Sequence, residues 1–145
     1  MWERSIVTGR RLFRLSEKRI DIRWRDLDAL GHVNQAVYQT YGEEIVDAWF
    51  REVLSLDEGE VWDYVVVRLA TDYRSELRLS DKQVMGTVRV VRVGASSVTV
   101  GLELRANSDG RLVAETEAVF ACWDPETRSS RPISPLERTA LEAAA

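Results

Sequence analysis

The chain has 145 residues, 45% of them apolar and 30% charged, and a net charge of −4. Its arginines are scattered rather than gathered into a basic block, which leaves no electrostatic footprint for nucleic acid. The longest unbroken apolar run, Ala118 to Trp123, falls well short of the roughly 20 residues a membrane-spanning helix needs, so no membrane partner is expected.

Residues 1–16 show no clear period; Leu12, Phe13 and Leu15 fit either a short strand or a surface segment. From Lys18 to Arg25 the residues alternate, with Ile20, Ile22 and Trp24 on one face and Arg19, Asp21 and Arg23 on the other, as in a strand. Asp26 to Val33 is polar, contains Gly31 and reads as a loop. From Asn34 the period changes: Val37, Tyr38, Tyr41, Ile45, Val46, Ala48, Trp49 and Val53 recur at helical steps, predicting a helix over 34–54 with Asn34 as its N-cap. Such a helix runs about 30 Å.

Everything that follows reads as strand. Tyr64 to Arg74 carries Val65, Val67 and Leu69 on one face and Val66 and Ala70 on the other, which predicts a strand covered on both sides. Gln83 to Val93 and Ser97 to Arg105 form a hairpin about Gly94-Ala95. The Asn107-Ser108-Asp109-Gly110 turn leads to a long strand from Arg111 to Trp123, and Asp124-Pro125 opens the next turn. Ser134-Pro135-Leu136-Glu137 is a capping box for a short terminal helix.

One long apolar helix must bury itself against a sheet, and hairpin connections make that sheet mainly antiparallel. The expected architecture is α+β, a curved five-stranded sheet wrapped around one central helix. Chain length predicts a single domain over 1–145, with 1–16 and 134–145 peripheral. Met1 to Arg11 lacks the apolar core of a signal peptide, and the single cysteine, Cys122, cannot close an internal disulfide. A cytoplasmic location is therefore expected.

Chemistry concentrates in the loop before the helix, Arg25-Asp26-Leu27-Asp28-Ala29-Leu30-Gly31-His32-Val33-Asn34-Gln35-Ala36-Val37-Tyr38. It brings two carboxylates and the only histidine to a helix N-terminus, where N–H groups are unpaired and the dipole is positive. That combination suits a reaction in which negative charge develops on a carbonyl oxygen while a carboxylate attacks or activates water. Simpler roles stand beside it: Asp28 capping the turn before Gly31, Asp26 holding the loop by Asx-type bonds, His32 acting structurally, and Asn34 as a cap alone. With no second histidine, a metal site at Asp26, Asp28 and His32 is discounted. No nucleophile elbow or phosphate-binding glycine loop occurs, and Cys122 within an apolar strand reads as an inert thiol.

The stretch resembles the Asp-x-Asp-x-x-Gly-His-Val-Asn-x-Ala-x-Tyr signature of the 4-hydroxybenzoyl-CoA thioesterase-like hotdog proteins, and the element order over 18–133 matches theirs. The resemblance implies the hotdog fold and hydrolysis of an acyl-CoA to a free acid and CoA, with no metal or redox cofactor. It makes Asp28 the catalytic carboxylate, as nucleophile or general base, and the backbone N–H of Gln35 the oxyanion donor. His32 and Asn34 complete the site and resemble the branch acting on aliphatic acyl groups. Arg128 and Arg131, after the longest strand, would contact the CoA phosphates. A homodimer or homotetramer with sites between subunits is implied as well. The alternatives are a hotdog dehydratase of 3-hydroxyacyl thioesters, whose motif is spaced differently, and a non-catalytic acyl-thioester binder.

Overall fold

The computed structural model describes residues 17–145, together with the backbone of two short paired strands, β1 (Ile6–Val7) and β2 (Arg10–Arg11). Leu12, Phe13 and Leu15 lie outside the described residues. The main sheet comprises β3 (Lys18–Asp21), β4 (Tyr64–Tyr73), β5 (Gln83–Val93), β6 (Ser97–Ala106) and β7 (Leu112–Asp124) in the order β3-β5-β6-β7-β4. All its pairings are antiparallel, and the short β8 (Ser129–Ser130) adds to the end of β7. Helix α1 (Gln35–Val53) lies on the concave face, and α2 (Pro135–Ala143) closes the chain. This is the expected hotdog architecture: a curved, antiparallel five-stranded sheet around one long helix.

Helix α1 buries Tyr38, Tyr41, Ile45, Val46 and Trp49 of the stripe its period predicts, and Phe50 besides, while Val37, Ala48 and Val53 are half-buried. The buried side chains meet inward residues of the sheet, including Val84, Val98, Val100, Leu102 and Leu104. Helix and sheet approach so closely at Gly86 that a Cβ there would stand 2.4 Å from Ile45 Cδ1. At the other end of the chain, α2 adds fully buried Leu141 to the same core. Its capping box forms as expected, with Glu137 N–H bonded to Ser134 Oγ and Ser134 N–H to Glu137 Oε1.

Two local expectations are corrected. The first strand stops at Asp21, not Arg25, because Trp24–Asp26 winds into a 3-10 turn in which the Asp26 carboxylate accepts Arg23 N–H. The turn rotates Trp24 away from Ile20 and Ile22 and leaves it 79% exposed. In β4, a bulge between Val66 and Arg68 resets the alternation. Tyr64, Val66, Leu69, Thr71 and Tyr73 therefore face inward, opposite Cys122, Phe120, Ala118, Thr116 and Ala114 of β7. Instead of being covered on both sides, β4 is the sheet edge, with Val66 and Val67 more than half exposed.

Candidate active site

The loop from Leu27 to Asn34 is closed by its own backbone. Asp28 N–H donates to His32 O, Gly31 N–H to Asp28 O, and Leu27 bridges to Val33. Gly31 takes a φ of +81°, which a side chain would resist. Below the loop, buried Asp26 accepts the Tyr41 phenol at 2.6 Å, while its carbonyl accepts Asn34 N–H at 2.9 Å. Burial, reinforced by that carboxylate, pushes the Tyr41 hydroxyl far above its ordinary value, so it stays a donor. Asp26 thus ties the loop to the helix, the structural role its position suggested.

Asp28 Oδ1 accepts Leu30 N–H at 2.9 Å, an Asx turn, and no described hydrogen bond engages Oδ2. The carboxylate, about a quarter exposed, lines a cleft of about 500 Å³ with His32, Asn34, Gln35, Tyr38, Tyr73 and Glu76. His32 Nδ1 lies 3.7 Å from Asp28 Oδ1, beyond hydrogen-bond range, and 3.4 Å from Val33 O. Asn34 caps α1, its Oδ1 accepting Ala36 N–H at 2.9 Å while its carbonyl accepts Val37 N–H. Gln35 N–H has no acceptor among the described hydrogen bonds, and Gln35 lines the same cleft as Asp28.

The far wall comes from the end of β4 and the segment after it. Tyr73 stacks edge-on against Tyr38, with centroids 5.2 Å apart, and its hydroxyl donates to Gln35 O at 3.2 Å. Leu77 O accepts Val33 N–H at 2.7 Å and fixes this wall to the loop. Burial is the largest influence on the Tyr38 phenol and raises it, a Leu77 backbone hydrogen bond acting in opposition. Behind the wall, Arg111 grips buried Asp81 with both guanidinium nitrogens, at 3.0 and 2.8 Å, and also donates to Glu76 O. That pair holds the Asp81 carboxyl far below the usual carboxylate range. Sequence reasoning missed Tyr73, Arg74, Ser75 and Glu76, since only tertiary contacts, Tyr73 O–H to Gln35 O and Val33 N–H to Leu77 O, bring them to the loop. It treated Tyr38 as plain core, whereas Tyr38 is both buried and part of the cleft wall.

Asp28, His32, Asn34 and Gln35 are therefore gathered in one cleft, and Arg128 and Arg131 are not. Arg131 forms a bidentate pair with Glu137, at 2.8 and 2.7 Å, and Glu137 also accepts the Trp62 indole N–H. Trp62 packs on Phe50, so this cluster sits at the opposite end of α1, about 20 Å away by helical rise. Arg128 is exposed in the turn before β8, with a φ of +53°. Cys122 is buried, and burial raises its thiol above the ordinary value, consistent with an inert side chain. Among the described residues, no three His, Cys, Asp or Glu side chains gather to hold a metal, and no helix is long and apolar enough to cross a membrane.

The model of the thioesterase-like superfamily matches residues 22–141. A thioesterase from Thermus thermophilus, solved with coenzyme A and zinc, is 32% identical over 88% of this chain and 92% of its own, with a TM-score of 0.75. The PA5185 protein of Pseudomonas aeruginosa PAO1 is 27% identical over 90% and 91%, with a TM-score of 0.78. A candidate acyl-CoA thioesterase of Xanthomonas campestris is 30% identical over 77% and 94%, with a TM-score of 0.66. No curated protein matches the chain.

Proposed function

The chain belongs to the thioesterase-like superfamily and is a thioester hydrolase, and on that premise we propose that its substrate is an acyl-CoA, cleaved to a free carboxylic acid and CoA with Asp28 as the catalytic carboxylate. The observation that carries this reading is the meeting, in one cleft, of Asp28 Oδ2 and the Gln35 N–H at the helix start, neither of which has a partner among the described hydrogen bonds. The thioester carbonyl oxygen takes the Gln35 N–H, where the α1 dipole favours developing negative charge. Asp28 removes a proton from water, the hydroxide adds to the carbonyl carbon, and collapse of the tetrahedral oxyanion expels the CoA thiolate. The thiolate recovers the proton from Asp28, which restores the carboxylate. In the covalent variant the carboxylate oxygen attacks first and expels the CoA thiolate, giving an acyl–Asp28 anhydride; water then opens it to the free acid and restores the carboxylate, its spare proton going to the thiolate. Label found in Asp28 after one turnover in ¹⁸O-water marks the anhydride route, with water opening the anhydride at the Asp28 carbonyl; the general-base route puts label in the product acid alone.

His32 and Asn34 are assigned to the loop and the helix cap, orienting Asp28 and Gln35 rather than exchanging protons. Arg131 is committed to Glu137 and is left out of the CoA site. A homo-oligomer forms through β4, whose outer, apolar edge has no partner among the described strands and offers main-chain donors and acceptors to a second copy. The test is Asp28→Asn, which should lower thioester hydrolysis by at least about 100-fold, the lower end of what a positioned acid–base group contributes, while acyl-CoA still binds. Near-parental turnover by that variant removes Asp28 from the mechanism. Binding without turnover by the parent would favour the non-catalytic alternative.

A further inference from the structure

Helix α1 and the edge strand β4 run alongside each other, joined by three side-chain rungs. Tyr73 O–H reaches Gln35 O at 3.2 Å, Gln39 Nε2 reaches Thr71 Oγ1 at 3.0 Å, and Tyr64 O–H reaches Asp47 Oδ1 at 3.1 Å. The first rung stands in the wall of the active-site cleft. Between the second and third lies a separate groove, also of about 500 Å³, with an apolar lining from Val46, Val66, Leu69, Leu102, Ala118 and Phe120. The middle rung stands between the two spaces, with Tyr38 and Tyr73 on the cleft side and Gln39 and Thr116 lining the groove. Thr71 Oγ1 lies 2.8 Å from Thr116 Oγ1, and Thr116 is buried, so Gln39, Thr71 and Thr116 make one hydrogen-bonded bar from helix to sheet.

We propose that the Gln39–Thr71–Thr116 bar sets acyl-chain length: it ends the pocket for short chains, and the groove beyond it receives the tail of a longer aliphatic chain when the bar opens. This rests on the thioesterase reading and names the substrate class of that same site. From Gln35 to Gln39 the helix rises only about 6 Å, room for a short acyl group, whereas Gln39 to Asp47 adds about 12 Å of groove. The groove is mainly apolar, with Glu43, Asp47 and Asp63 also in its lining, and lies along the seam that starts at Gln35, so a tail continuing from the carbonyl has this course. Passing the bar costs the Gln39–Thr71 bond and leaves both side chains beside methylenes, which disfavours long chains in the parent protein. The bar consists of side chains only, so removing it leaves the helix and strand hydrogen bonds in place.

The experiment compares parent, Gln39→Ala and Thr71→Val on a panel from butyryl-CoA to palmitoyl-CoA. Methylenes in an apolar pocket are worth roughly tenfold or more in specificity, so Gln39→Ala should raise the dodecanoyl-to-butyryl ratio of kcat/KM by at least about tenfold. Butyryl-CoA hydrolysis should stay near the parental rate, since Gln39 touches no reacting atom. Thr71→Val keeps the volume and loses the bond, so it should shift the ratio the same way by less; it also decides the matter if Gln39→Ala fails to fold. Adding Leu69→Trp to Gln39→Ala fills the groove and should abolish the gain while sparing butyryl-CoA. An unchanged ratio in both single variants, with butyryl-CoA still hydrolysed, overturns the bar and leaves the thioesterase reading intact. Failure of the parent on every chain length overturns that reading itself.

Discussion

Replacing Glu137 with Gln should make the protein's acid sensitivity smaller and its stability near neutrality lower. Glu137 is the hub of the far cluster: it takes both guanidinium nitrogens of Arg131, the Trp62 indole and the Ser134 N–H, with only 15% of its side chain exposed. The Arg131 hydrogen bonds are the main reason its pKa falls from 4.5 to about 2, burial working against them. Because the folded pKa is depressed, the unfolded chain binds more protons between these values. The stabilisation is thus complete above about pH 5 and is lost as pH falls toward 2. Each unit is worth about 1.4 kcal/mol, so the displacement amounts to roughly 3 kcal/mol at neutral pH and to less than half of that near pH 3. Glu137→Gln keeps the shape of the cap, removes the charge and leaves Arg131 unpaired. Urea unfolding of parent and variant, followed by far-UV circular dichroism at fixed protein concentration, should give a difference of about 2–3 kcal/mol near pH 7 that shrinks by at least half near pH 3. A difference of the same size at both pH values would refute the linkage and reduce the cluster to shape alone.

Gly86→Ala should cost about 1–3 kcal/mol in urea unfolding, because its Cβ would press on the fully buried Ile45 side chain, 2.4 Å from Cδ1 and 2.9 Å from Cγ2. Loss of less than about half a kcal/mol would mean that α1 is less firmly seated than its contacts suggest. Asn34→Ala should lower stability by about 1 kcal/mol through the lost cap. It should also reduce kcat more than it raises KM, since the Gln35 N–H loses its alignment; a change confined to KM would take the cap out of the chemistry. Light scattering at micromolar concentration should find a dimer or tetramer, and a monomer would count against pairing through β4.

The fold was legible because its periods are clean. Helical spacing from Val37 to Val53 and alternation across β5, β6 and β7 each carry one message, and Asn34 and Ser134 mark helix starts with unambiguous chemistry. Trp24 and β4 resisted for a common reason: a one-residue irregularity inverts the facing of every side chain beyond it. Neither the 3-10 turn at Trp24 nor the bulge at Val67 leaves a mark in hydrophobic pattern. The near wall of the site was readable as one contiguous loop. Its far wall was not, since Tyr73 to Glu76 reach the loop through contacts between distant segments. Charge pairing is a further thing sequence does not carry: two arginines after a strand suggest phosphate, and packing adds that Arg131 is paired with Glu137.

The order of the strands also dictates when the molecule can assemble. Among the described strands β3 pairs only with β5, and β4 waits for β7, which ends at Asp124. A growing chain on the ribosome therefore presents α1, with Tyr41, Ile45, Trp49 and Phe50 uncovered, well before the strands that bury them have emerged. Nearly the whole sheet must be available before any part of it is worth closing. Folding is consequently a late and largely concerted event, slowed by the distance between partners along the chain. Until then the apolar helix and the unpaired β4 are the surfaces that chaperones must shield.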